Sequence, residues 1–232
     1  MIIFKPHKVL PIIAAYLPIN PVIVEAGSFD GCDTHRMANM WPLGTVHAFE
    51  PLPELFERLK SSLGSLSNVI CYPLALSNDN GLVPFYVAEK VNRPGVSCQA
   101  GSLRKPSDAI RETIRRSSIH FPHITMVPAI TLDAWATLHK ITKIDLLWLD
   151  LQGHELTVMQ SGPVIMKTVS VVHTEVAFRE RYAGQALYSQ VKQWLESQGF
   201  SEIGVDFQDT DKQDFGNALF IKESCLISKS SI

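Results

Sequence analysis

The sequence predicts an α/β fold: a doubly wound, mainly parallel sheet with an antiparallel edge strand, helices on both faces, and hence three layers, α/β/α. Three observations predict it. Apolar runs of strand length alternate with longer stretches whose apolar residues recur every three or four positions. The run Leu146-Leu147-Trp148-Leu149 is apolar throughout, as a strand buried on both faces requires. Proline and glycine punctuate the helices, with Pro53 just inside one and Gly199 just past another.

Taken in order, strands are predicted at 22–26, 45–50, 69–74, 145–150, 169–176, 200–206 and 217–222. Between them, helices are predicted at 32–40, 53–63, 132–140, 155–161 and 186–198. This alternation implies crossover connections and therefore parallel strands. The stretch 199–222 breaks the rhythm. Its two strands are joined by a polar loop, 208–214, too short for a helix, so they should pair antiparallel at the sheet edge.

The stretch from Glu89 to Thr131 reads as irregular, interrupted by Pro94, Gly95, Gly101, Pro106, Pro122 and Pro128. It also carries a basic helical segment with Arg104, Lys105, Arg111, Arg115 and Arg116. Long insertions of this kind are usually functional, and 89–130 is read as lid-like. Residues 1–232 otherwise read as a single domain without repeats or linkers.

Hydrophobic residues make up 46% and charged residues 19%, which excludes a disordered chain. A net charge of −2 gives no electrostatic footprint for nucleic acid or anionic lipid. Cys32, Cys71, Cys98 and Cys225 lack C-x-x-C spacing, which argues against a zinc site and a disulfide framework and for a reduced, cytoplasmic protein. The apolar stretch from Val9 to Leu17 follows two lysines, yet it is too short to span a bilayer and lacks a convincing cleavage site. Residues 1–20 are read as an N-terminal arm or helix packed on the sheet edge. Nothing in the sequence specifies an oligomeric state.

The chemistry concentrates after the first two long strands. Glu25-Ala26-Gly27-Ser28-Phe29-Asp30-Gly31 forms an E-x-G-x-x-x-G loop, and the next strand ends on Glu50, nineteen residues after Gly31. Glycines let backbone approach a ligand, and an acid at the second strand's tip suits ribose hydroxyls. The three-glycine cradle for a pyrophosphate is missing. The loop therefore suits a nucleoside without phosphates, such as S-adenosylmethionine.

Several segments together resemble one family. They are the glycine loop, Phe49-Glu50-Pro51, Ala75-Leu76-Ser77, Thr131-Leu132-Asp133, Leu149-Asp150-Leu151-Gln152-Gly153-His154-Glu155 and His173-Thr174-Glu175-Val176. In this order they look like the FkbM-type methyltransferases. The resemblance implies the methyltransferase version of the doubly wound fold, S-adenosylmethionine as cofactor, and usually O-methylation of a hydroxyl on a small metabolite, polyketide or sugar. It also places Pro51 with the cofactor-binding residues. The chain departs from the family pattern at Gln152, where the family commonly has Glu.

The residues themselves suggest roles. Ligands of open α/β sheets sit beyond the carboxyl ends of the strands, where Glu25, Glu50, Asp150 and Glu175 fall. An acidic rim suits a sulfonium cation. Gly27, Ser28 and Gly31 would line the methionine moiety, Glu50 would hold the ribose, and Ala75 and Leu76 would lie beside adenine. Asp150 would face the transferred methyl or the acceptor hydroxyl; the alternative is a cap on the helix that follows. Asp150, His154, His173 and Glu175 are the catalytic candidates. Alternation along the strand puts His173 and Glu175 on one side, as a carboxylate-oriented imidazole needs. No second acid cluster completes a hard-cation site, so no metal is expected. The basic segment could receive an anionic or glycosylated acceptor or be a solvated face.

Two other classes stay open. A nucleic-acid methyltransferase would need an aromatic-lined pocket for an extruded base, which Asp150-Leu151-Gln152-Gly153 does not offer. A nonenzymatic S-adenosylmethionine-binding module would hold the cofactor without turnover.

Overall fold

The computed structural model describes residues 1–108 and 119–227. Arg111, Arg115 and Arg116 of the predicted basic segment lie outside the described residues. The chain runs β1 (Ile2–Ile3), α1 (Val9–Ala14), β2 (Val22–Ala26), α2 (Cys32–Met40), β3 (Thr45–Phe49), α3 (Pro53–Leu63), β4 (Val69–Tyr72) and β5 (Ala75–Leu76). It continues through β6 (Gly81–Lys90), β7 (Arg93–Ser97), β8 (Ile119–Ile130), α4 (Leu132–Leu138), β9 (Leu146–Leu149) and α5 (Glu155–Gln160). The last elements are β10 (Val171–Ala177), α6 (Tyr188–Ser197), β11 (Phe200–Val205), β12 (Phe215–Lys222) and α7 (Glu223–Ile227).

The central sheet has the order β1-β11-β12-β10-β9-β2-β3-β4. Its pairings are parallel except those of β12, which runs against both β10 and β11. The reversed strand is third from the edge, with β11 and the two-residue β1 outside it. The strand order reverses between β2 and β9, where a ligand crevice forms at the carboxyl ends.

Sequence patterning explains the layers. In β9, Leu147 and Leu149 pack in one core with Trp135 and Val172, while Leu146 and Trp148 pack in the opposite core with Ile13 and Met37. All four are buried, so both faces of this strand are covered. Truncating Leu147 to Ala would cost about 2–5 kcal/mol. On α3, Leu55, Leu59 and Leu63 recur every fourth residue and form its buried stripe. Val9, Leu10 and Ile13 of α1 are buried in the second core, so the N-terminal segment packs as a helix. No helix among the described residues is long and apolar enough to cross a membrane.

One expectation is corrected. Much of the stretch read as irregular forms strands β7 and β8 of a second sheet, ordered β5-β8-β6-β7. Strands β6 and β8 pair antiparallel from Gly81↔Ala129 to Lys90↔Ile119. The extra structure therefore begins at Gly81, before the expected boundary at 89. Pro84, Pro122 and Pro128 lie inside these strands. Proline removes a ladder donor and normally argues against a strand, which hid the pairing.

Candidate functional site

Register brings three chain turns to one level. Ala26 pairs with Phe49 on one side and with Leu149 on the other, so Gly27, Glu50 and Asp150 leave the sheet together. The Gly27 and Ser28 amides donate to the Phe49 carbonyl at 3.2 and 3.1 Å, and the Asp150 amide donates to the Ala26 carbonyl at 3.1 Å. Above these ends lies a cavity. Its wall includes Glu25, Gly27, Ser28, Glu50 and Pro51 from the first two strands and their loops. Ala75, Leu76, Asp150 and His154 complete the predicted set on its other sides.

Five acidic residues line the cavity, Glu25, Asp30, Asp33, Glu50 and Asp150, and among the described residues no Lys or Arg does. Glu25 is buried and accepts a hydrogen bond from the Thr34 hydroxyl on α2. Burial pushes its carboxyl up to about 8, against the pull of that hydrogen bond. Glu50 accepts the Leu52 amide at 2.9 Å, and burial pushes it up to about 7. Asp150 opens onto the cavity, yet the protein packed around it still raises its carboxyl above the ordinary range. Such groups ionise readily once a cation arrives.

The loop after β9 holds two consecutive left-handed residues, Gln152 (φ +51°) and Gly153 (φ +97°). The buried Glu155 carboxylate closes it, accepting the Leu151 and Gly153 amides at 2.9 and 3.1 Å. Burial among these groups lifts Glu155 to about 7. His154 Nε2 lies 3.2 Å from the Ser77 hydroxyl, while its buried Nδ1 has no partner among the described residues. Burial and then Arg104 bring this imidazole down to about 4, so it is neutral near pH 7.

Three predicted residues stand outside the cavity wall. Gly31 closes the loop instead: its amide donates to the Ser28 carbonyl at 2.8 Å, and an added Cβ would meet Leu59 Cδ1 at 2.9 Å. His173 is buried in the sheet, stacked on Trp148 with ring centroids 3.7 Å apart. Glu175 lies on the same side of β10, and Gln152 Nε2 hydrogen-bonds both it and Asp150. Burial drives His173 down to about 3 and Glu175 well up, so the two do not form a charged pair.

The sequence reading missed part of the wall. Phe85, Cys98, Gln99, Ser102 and Leu103 reach the cavity from the second sheet and its following loop. Their signal is the β6–β8 pairing, which joins residues far apart in the chain. Among the described residues, no group of three or more His, Cys, Asp or Glu side chains is arranged to hold a metal ion.

A family model described as the methyltransferase FkbM domain matches residues 25–202. The 2-O-methyltransferase NoeI of Sinorhizobium fredii (strain NBRC 101917 / NGR234) is 28% identical over 166 residues, 72% of this chain and 67% of that protein. The fibrillarin pre-rRNA processing protein of Methanococcus jannaschii has a TM-score of 0.51 at 13% identity, over 89% of this chain and 69% of that one. A putative methyltransferase from Streptococcus mutans, SMU.1697c, solved with SAH, gives 0.50 at 12% identity, over 95% and 99%. At such identities the two structures speak for the fold.

Proposed function

This chain belongs to the FkbM methyltransferase family with S-adenosylmethionine as methyl donor, and on that premise we propose O-methylation of a hydroxyl on a small-molecule acceptor. The observation that carries the proposal is the cavity at the strand-order reversal, lined by five carboxyl groups, Asp150 among them, beside the glycine loop. Its chemistry fits the donor. Five carboxyl groups, with no Lys or Arg among the described lining residues, suit a cation and disfavour a pyrophosphate. When bound, the donor supplies a methyl group on an electrophilic, positively charged sulfur.

The chain's own residues do the rest. Glu50 accepts hydrogen bonds from the ribose hydroxyls, with Pro51, Ala75 and Leu76 against the adenine. Gly27 and Ser28 bring backbone to the methionine portion, and Glu25 supplies negative charge behind it. Asp150 takes the acceptor's hydroxyl proton as that oxygen attacks in line, and later gives it to water. His154 remains neutral and offers the acceptor a hydrogen-bond partner. Leu55, Phe85 and Leu103 in the wall exclude water from the reacting atoms.

A small acceptor is favoured over nucleic acid because the cavity is acidic and the chain carries a net charge of −2. A cytoplasmic setting, in which all four cysteines stay free thiols, belongs to the same proposal.

The test supplies donor carrying a carbon-13 methyl group to the protein with a panel of hydroxylated small molecules, and separately with RNA. The proposal expects acceptor-dependent release of S-adenosylhomocysteine and a product methyl resonance at the shift of a methyl ether. Label transferred only to RNA, or only to nitrogen or sulfur, would refute it.

A further inference from the structure

Gln152 takes a strained backbone conformation for a residue with a side chain, which its surroundings must offset. The turn sends its side chain inward, where 7% of the residue remains exposed. There Nε2 donates to Asp150 Oδ1 at 2.7 Å and to Glu175 Oε2 at 3.2 Å. The Tyr182 hydroxyl is shared between Gln152 Oε1 at 3.1 Å and the Ala100 carbonyl at 2.7 Å. From the second sheet's loop, the Ser102 hydroxyl donates to the Gln152 carbonyl at 2.9 Å. Both amide hydrogens thus have carboxyl acceptors and the amide oxygen has a hydroxyl donor, so the network fixes which way the group points.

The charges around Asp150 make that neutrality matter. Glu25 on β2, Asp33 on α2, Glu155 on α5 and Glu175 on β10 all act on it or feel it. Arg181, after β10, is the cation among them, 3.9 Å from Glu175 Oε1, and Tyr182 also senses the Asp150 charge. A glutamate at position 152 would have the same shape but no hydrogen to donate. It would set a further carboxyl group against two others, and like charges disfavour ionisation.

We propose that Gln152 is the positioning residue of methyl transfer: its amide clamps Asp150 to Glu175, holds the Asp150 carboxyl toward the acceptor hydroxyl, and sets the pH at which Asp150 becomes a base. This rests on the reading of Asp150 as the proton acceptor. Burial raises the Asp150 carboxyl, and donation from Gln152 pulls it back down. Replacing Gln152 by Glu removes the donor and adds a like charge, so Asp150 keeps its proton to higher pH.

The experiment titrates the Asp150 carboxyl by carbon-13 NMR in the S-adenosylhomocysteine complex of the wild type and Gln152→Glu, with Asp150→Asn to assign the resonance. The pH dependence of kcat/KM is followed in parallel. The expected midpoint moves up by about one pH unit or more. The acid limb of kcat/KM moves with it, while donor affinity stays within about twofold of wild type, since a fully lost hydrogen bond would cost more. A midpoint that stays in place or moves down overturns the proposal. A midpoint that moves without the limb leaves the clamp standing and removes Asp150 as the base. Should Gln152→Glu fail to fold, Tyr182→Phe removes the hydroxyl that orients the amide. Its midpoint should also rise, by less, and an unmoved midpoint there is equally fatal.

Discussion

A Cβ on Gly27 would stand 1.9 Å from the backbone carbonyl oxygen of Asp150. The loops after β2 and β9 therefore pass each other with room for a hydrogen and nothing larger. Gly27 also has φ +89°, a conformation that side chains strain to adopt. Gly27→Ala should destabilise the protein by about 1–3 kcal/mol from the backbone alone. Because the overlap also displaces the Asp150 turn, donor binding should weaken at least tenfold, roughly 1.4 kcal/mol. Thermal unfolding and calorimetric titration of the variant measure both. Full donor affinity in Gly27→Ala would mean that the two loops do not jointly shape the site.

Glu50 gives a second prediction. Its carboxylate already accepts the Leu52 amide, leaving its remaining lone pairs for the ribose hydroxyls. Glu50→Ala should weaken donor binding by about 10- to 100-fold, the range for hydrogen bonds to a charged group. Glu50→Gln keeps an acceptor for Leu52 and should lose less. Equal losses in the two variants would point to a role in loop structure alone.

The buried carboxyls predict a pH dependence of stability. Glu25, Glu50 and Glu155 ionise near 4.5 when unfolded but near about 8, 7 and 7 in the fold. The folded state therefore binds more protons, and these groups remove stability as pH rises toward 8. His154 and His173 act oppositely, since their folded values fall from 6.5 to about 4 and about 3. From pH 6.5 upward the unfolded imidazoles lose their remaining charge while the three carboxyls titrate over the whole interval, so the carboxyls decide. The Tm of the free protein should fall between pH 6.5 and 8. Donor binding should tighten and release protons over the same interval, as calorimetry in buffers of different ionisation enthalpy would reveal. A flat Tm profile with no proton release would contradict the buried acidic site.

The central sheet was legible because its strands announce themselves locally. Val22 to Ala26, Thr45 to Phe49 and Leu146 to Leu149 are apolar runs ending on acids, and parallel register then brings Gly27, Glu50 and Asp150 together without further information. The second sheet was not legible. Its longest strands face solvent along one side, where Leu82 and Met126 are exposed, and prolines break their pattern. Phe85 and Ser102 enter the cavity wall through that non-local pairing, so no local signal marks them. Alternation correctly kept His173 and Glu175 on one side of β10. It could not tell that the position of His173 along the strand lies beneath Trp148 rather than at the cavity.

That placement predicts a contrast between two variants. Both His173 ring nitrogens are buried without a hydrogen-bond partner among the described residues. Phenylalanine can keep the stack on Trp148 without burying unpaired polar atoms, so His173→Phe should leave turnover near wild type and should not lower Tm. Asp150→Asn should reduce turnover by about 10²–10⁴-fold, the usual contribution of a positioned base. Comparable losses of kcat in the two variants would move His173 into the chemistry.

The most direct measurement is calorimetric titration of the wild type and Glu50→Ala with S-adenosylmethionine, and of the wild type with NAD. The acidic cavity above the strand ends at Gly27, Glu50 and Asp150 predicts one donor per wild-type chain, strongly weakened binding in Glu50→Ala, and no heat from the dinucleotide. Silence with the sulfonium compound, or saturable binding of the pyrophosphate-bearing one in its place, would contradict the account.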